Sequence, residues 1–116
     1  MQGEGDASTF YRSHEYYALQ KVLVEDIREE YDFYAPPRGI SFIDATISDS
    51  GLWASWFIVN DLKFKYSEES DLNYIFDTNA HGLTTLEEIN DLAHYDSTSM
   101  LLLGELFGQK VSEVLE

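Results

Sequence analysis

The chain has 116 residues, 44% of them hydrophobic and 15% aromatic, and sets 22 Asp and Glu against seven Lys and Arg, a formal charge of −15. That length suits one domain with one core, the apolar content excludes a disordered chain, and the absence of cysteine excludes disulfides and thiolate metal sites. The charge repels nucleic acid and anionic membrane, so direct binding to either is excluded and a cation or a basic protein is the expected partner.

Residues 1–12 are expected to be a flexible segment, because Gln2 to Thr9 are small and polar without a core-forming pattern. A single α+β domain is expected over 13–116. Tyr16, Leu19, Leu23, Ile27 and Tyr31 recur at helical spacing, Val22 and Val24 widen the stripe, and Ser13 is placed as N-cap. This long helix must end before Pro36-Pro37, since proline lacks the N–H a helix needs and restricts the residue before it.

Strand chemistry follows. Residues 40–48 are rich in β-branched side chains, Asp49-Ser50-Gly51 is a turn, and 52–59 is read as the second arm of a hairpin. Leu62, Phe64 and Tyr66 alternate with Lys63 and Lys65, which predicts a third strand with both lysines on its solvent face. Residues 68–76 fit strand or helix equally. Thr84-x-x-Glu87 matches a capping box, opening a short helix to about His94 with Leu86, Ile89, Leu92 and Ala93 on its apolar face. Asp96-Ser97 can cap a C-terminal helix in which Met100, Leu103, Phe107, Val111 and Val114 share a face. Leu101, Leu102 and Leu106 widen that face, which calls for deep burial or a homodimer through this helix. The expected architecture is a long N-terminal helix, an antiparallel sheet of three to four strands and two C-terminal helices.

The charge is unevenly placed. Between Glu25 and Asp96 stand sixteen acids against four Lys and Arg, and the densest run is Glu25, Asp26, Glu29, Glu30 and Asp32. At about 100° per residue, Glu25, Glu29 and Asp32 line one edge of the helix and Asp26 and Glu30 an adjacent edge. Like charges one turn apart destabilise a helix by roughly 0.2–0.5 kcal/mol per pair, with Arg28 as partial relief. Glu68, Glu69 and Asp71 form a second acidic cluster. Such faces keep small proteins soluble, but rows of carboxylates also imitate the phosphates of a duplex and can occupy a nucleic-acid-binding site. In composition and size the chain resembles the small acidic proteins that phages and mobile elements use against nucleases, and the acidic immunity proteins that neutralise nuclease toxins. The resemblance implies a non-enzymatic inhibitor, a DNA mimic, whose partner is a nuclease or another nucleic-acid-binding protein. Glu25, Asp26, Glu29, Glu30, Asp32, Glu68, Glu69 and Asp71 are its candidate contacts. Tyr11, Tyr17, Tyr34 and Trp53 would be aromatic anchors if exposed, although Trp53 reads more readily as core.

Two alternatives have sequence support. Asp77, Asn79, His81, Gly82 and, after five intervening residues, Glu88 match the spacing of an EF-hand calcium loop, with His81 and Thr84 as departures from it; a turn leading into a helix explains the same residues without a metal. An acidic, chaperone-like interaction module is the third reading. Enzymatic chemistry finds no motif: His14, His81 and His94 lack metal-ligand spacing, and Gly104 and Gly108 lie in an apolar helix rather than a phosphate loop. No basic and apolar leader opens the chain, and the stretches 52–59 and 100–103 are too short to span a bilayer, so a cytoplasmic protein without cofactor is expected.

Overall fold

A computed structural model describes all 116 residues. The chain runs as α1 (Phe10–Glu30), β1 (Phe42–Ala45), α2 (Trp56–Ser67), β2 (Asn73–Phe76), β3 (Thr85–Leu86), β4 (Asp91–Tyr95) and α3 (Ser97–Leu115). The class is α+β, but the single antiparallel sheet is replaced by two two-stranded pieces. β1 and β2 pair in parallel, Phe42 opposite Asn73 through Ala45 opposite Phe76, and β3 and β4 form an antiparallel hairpin.

The first helix starts three residues before Ser13. Thr9 is its extended N-cap, accepting from the Arg12 amide at 3.2 Å, while Ser13 is buried and donates its hydroxyl to the Phe10 carbonyl at 2.7 Å. Within residues 1–12, Gly3 and Ala7 are buried against the domain and Phe10–Arg12 open α1. Ala7 is fully buried and its carbonyl accepts from the Ser55 amide at 2.9 Å. Gly3 lies at φ +113°, where a Cβ would fall 2.8 Å from Val59 Cγ1, so only glycine fits there without displacement.

The expected hairpin over 40–59 is not formed, and the third strand is not a strand. Only 42–45 pair as β1, and the chain enters α2 at Trp56 because parallel strands require a crossover, here helical. The alternation of Leu62, Phe64 and Tyr66 hid a helical face: Val59, Asn60, Lys63 and Tyr66 are buried, whereas Phe64 and Lys65 are exposed. Lys63 is thus an interior residue rather than half of a solvent-facing pair. The ambiguous segment 68–76 resolves as a loop followed by β2.

The helix expected from Thr84 to His94 is the β3–β4 hairpin. Thr84 caps nothing; its amide donates to Ser99 Oγ at 2.8 Å and its hydroxyl to Asp96, which ties the hairpin to the start of α3. A 3-10 turn at Glu87–Ile89 and Asn90 in the left-handed region reverse the chain. α3 begins where expected, with Asp96 accepting from the Ser99 amide at 2.8 Å. Leu103 and Leu106 are buried and Phe107 meets Phe76 edge-on at 4.8 Å, but Met100 and Val111 stay exposed.

The hydrophobic core is small: Ala7, Tyr16, Ile47 and Val59, with Trp53, Trp56 and Leu62 against it. Polar wiring supplements it. The Asn60 amide accepts from the Ile47 amide at 2.8 Å and donates to the Ile47 carbonyl at 3.0 Å, serving as a substitute strand partner. Thr78 donates its hydroxyl to the Thr46 carbonyl at 2.9 Å and its amide to the Thr46 hydroxyl at 2.8 Å. The molecule is elongated, 47 × 32 × 20 Å, with a radius of gyration of 15.1 Å against about 13.4 Å expected for this length. Its accessible surface is 7435 Å², roughly 1,000 Å² above the value expected for its mass.

Candidate protein-binding surface on the first helix

A 21-residue helix is about 31 Å long, and the last turn of α1 meets the body of the domain through Arg28. Its buried residues are Ser13, Tyr16, Gln20 and Val24, and none follows Val24. The core-facing side is therefore partly polar, and the more apolar stripe lies beside it in solvent: Leu19, Leu23, Ile27 and Tyr31 are 43–60% exposed, and Val22 is exposed as well. Beyond the helix end, Phe33 and Tyr34 stack edge-on at 5.3 Å and are 90% and 79% exposed.

Three of the predicted acids border this stripe. Leu23, Asp26, Ile27, Glu29, Glu30 and Tyr31 together line an open surface depression of about 680 Å³. The acids also lie at the wrong end of the helix for stability, since the C-terminal turn carries the negative end of the macrodipole. Arg28 forms no ion pair with them. Its guanidinium is turned inward, donating to the Ile40 carbonyl at 3.0 Å, the Leu72 carbonyl at 3.3 Å and Asn73 Oδ1 at 2.8 Å.

The remaining predicted contacts are scattered. Glu25 lies on the far side of α1, in a shallow cleft with Lys21, Arg28 and Glu69, and Asp32 is exposed in the 3-10 turn after the helix. Glu69 is already partnered: the Tyr17 hydroxyl donates to it and Lys21 lies 3.4 Å away. The Tyr17 hydrogen bond holds its carboxyl below the usual range, and Glu69 in turn raises the Lys21 amine. Glu68 and Asp71 are exposed at the same end of the domain. Asp26, Glu29 and Glu30 thus share one face of α1, Glu25 lies on its far side, Asp32 follows its end, and Glu68, Glu69 and Asp71 form a partly neutralised cluster after α2.

Of the aromatic candidates, Tyr11 and Tyr34 are exposed. Tyr17 is half-buried, with Lys65 4.3 Å above its ring, and Trp53 packs against the core. The residues missed as a surface are Leu19, Leu23, Ile27 and Tyr31. Their spacing was legible, but periodicity distinguishes a face without saying what covers it.

The loop at 77–88 is built otherwise than a calcium loop. Asp77 accepts from the Thr46 hydroxyl at 2.9 Å and the Asn79 amide at 3.0 Å, and Asn79 bridges the Asp49 amide and the Ile47 carbonyl. A strand enters it, another follows, and His81 and Glu88 are exposed apart from these groups. No group of three or more His, Asp and Glu is arranged to hold a metal ion.

One charged cluster is interior. Lys63 Nζ lies 2.9 and 2.8 Å from the two Asp44 oxygens, Gln20 Nε2 donates to Asp44 at 2.9 Å, and the Tyr16 ring lies 5.5 Å from the amine. Burial lowers the Lys63 amine, opposed by Asp44, and burial raises the Tyr16 phenol far above its ordinary value. The cluster joins α1, β1 and α2 and is closed to solvent, which makes it a structural clamp. No helix is long and apolar enough to cross a membrane. Compared with known proteins, the chain matches no family model, no curated protein and no solved structure.

Proposed function

We propose that this protein is a non-enzymatic acidic binding protein that blocks a basic site on a partner protein, and that the C-terminal half of α1 makes the contact. The observation that carries this reading is the pairing, on one exposed helix face, of an apolar stripe with Asp26, Glu29 and Glu30. The charge of −15 steers toward cationic surfaces. Tyr31, Phe33 and Tyr34 provide the aromatic area that dominates interface hot spots. The excess accessible surface is close to the ~800 Å² that one partner contributes to a standard interface. A nuclease or other nucleic-acid-binding protein is the proposed partner class, because carboxylates spaced along a helix can take the place of phosphates in its binding site.

The test is a tagged pull-down from lysate eluted with a salt gradient, run with wild type and with the Asp26→Asn/Glu29→Gln/Glu30→Gln variant, followed by DNA competition on the recovered protein. A basic protein captured by wild type alone, and displaced by DNA, supports the reading. A captured protein that still binds DNA in the complex refutes occlusion.

A second copy of the chain is a further proposed partner, at α3. Leu101 and Leu115 are 73% and 80% exposed, and Gly104 and Gly108 are open on the same side, which permits close helix approach. Leu106 is buried and is not available to that interface. A concentration-independent monomer mass in light scattering would exclude the dimer.

A further inference from the structure

We infer that the α1 surface takes a basic amphipathic helix of the partner, laid along Leu19, Leu23, Ile27 and Tyr31. The inference rests on the reading of α1 as the partner-binding face and names what that face accepts.

The stripe is a single i, i+4 ridge about 18 Å long. Ridges of this kind are what a second helix packs into its grooves, so the shape fits a helix better than a flat strand or a loop. All four side chains are open, and three of them, Leu23, Ile27 and Tyr31, share a depression with Asp26, Glu29 and Glu30. The acids are on one edge only. Asp26 immediately precedes Ile27 and Glu30 immediately precedes Tyr31, each about 100° further round toward solvent, while the opposite edge runs into the body of the domain through Gln20 and Val24. A helix seated on the ridge therefore needs apolar residues on its contact face and Lys or Arg along one flank.

Charge selects among occupants. A second copy would bring acids against acids. A neutral apolar helix would strip water from Asp26 and Glu30 without pairing them, which is unfavourable. A cationic flank pairs the carboxylates and also meets the negative end of the α1 dipole, so the same three acids that weaken the free helix strengthen the complex.

The experiment uses the full chain and two synthetic 18-residue Leu–Lys peptides of identical composition, one patterned as an amphipathic helix with lysines on one flank, the other scrambled. Binding is followed by calorimetry and by amide chemical shifts. The patterned peptide should bind at least tenfold more tightly and move the Leu19, Leu23, Ile27 and Tyr31 signals. Ile27→Ser with Tyr31→Ser should erase the preference, bringing the patterned peptide down to the affinity of the scrambled one. Both positions lie beyond the last buried residue of α1, so the fold is retained. Equal binding of both peptides, lost in salt, overturns the helix inference and leaves the acidic blocking function standing. No binding of either peptide overturns both. Shifts confined to α3, or tight patterned binding by the Asp26→Asn/Glu29→Gln/Glu30→Gln variant, overturn the inference as well.

Discussion

Replacing Asp26, Glu29 and Glu30 together by their amides should make the free protein more stable and its complex weaker, two effects of opposite sign from one change. The three acids take part in the repulsive pairs Asp26–Glu30, Glu25–Glu29 and Asp26–Glu29, each worth about 0.2–0.5 kcal/mol on a helix. Their place at the C-terminal end adds an unfavourable dipole contribution of about 0.3–1 kcal/mol each at low salt, smaller where exposed and screened. Arg28 forms no ion pair with them, since its donors are engaged with Ile40, Leu72 and Asn73. A gain of about 1–2 kcal/mol at low ionic strength follows, or roughly 4–8 °C in Tm. The assay is denaturant and thermal unfolding at low and high salt, with Glu68→Gln/Asp71→Asn/Glu88→Gln as a control of equal charge change at exposed positions elsewhere. The gain should shrink in salt and be larger than in the control. A loss of stability at low salt would mean that these carboxylates have favourable partners inside the fold, and unchanged partner binding would mean that the wrong face has been assigned.

Other outcomes follow from the interior. Lys63→Met leaves Asp44 buried without its cation and should cost about 3–5 kcal/mol, most of it recovered in the Lys63→Met/Asp44→Leu double variant; urea titrations that show additive losses would refute the clamp. At alkaline pH, burial holds the phenols of Tyr16, Tyr66 and Tyr95 above their ordinary value, so their contribution is complete below about pH 10 and is lost as pH rises through the folded values. Lys63, lowered by burial, works the other way, its stabilisation growing as pH approaches about 10.5, but one amine faces three phenols. Phenolate absorbance should therefore show part of the eight tyrosines ionising only as circular dichroism reports unfolding; complete ionisation of a folded chain would contradict the burial. Gly3→Ala forces a left-handed residue against Val59 and should cost about 1–3 kcal/mol while freeing residues 1–8 to proteolysis, whereas unchanged protection would show that this segment is not held by its turn.

The two long helices were legible because each declares itself by an uninterrupted period and a stop or cap: Pro36-Pro37 after α1, Asp96 before α3. A strand was legible in the β-branched stretch 40–48, although only Phe42–Ala45 pair as β1. α2 was not, since Lys63 occupies an interior helical position and made Leu62–Tyr66 alternate like a strand. Its burial depends on Asp44, nineteen residues away, and no local pattern contains that pairing. The β3–β4 hairpin was hidden in the same way. Thr84 and Glu87 have capping-box spacing, but Thr84 is engaged with Asp96 and Ser99 from the next element. Of the candidate site, the acids Asp26, Glu29 and Glu30 could be read directly. The stripe beside them could be read only as a stripe, because the face that α1 turns inward carries Ser13 and Gln20, which no hydrophobicity argument would choose over Leu19 and Leu23.

That inversion connects the fold to the proposed action. Nine buried residues are hydrophobic and twelve are polar or charged, while eighteen large hydrophobic side chains are exposed. The interior is specified by directional bonds: Asn60 completing the Ile47 backbone, Thr78 locked to Thr46, Lys63 and Gln20 on Asp44. Bonds of this kind contribute about 1 kcal/mol each when satisfied and fix register without consuming much apolar area. The apolar area left outside then remains available for a partner, and covering Leu19 to Tyr31 removes from water the surface that a larger core would have buried. On the proposed reading, the acids that flank the stripe would keep the exposed apolar helix from self-association until a cationic partner neutralised them.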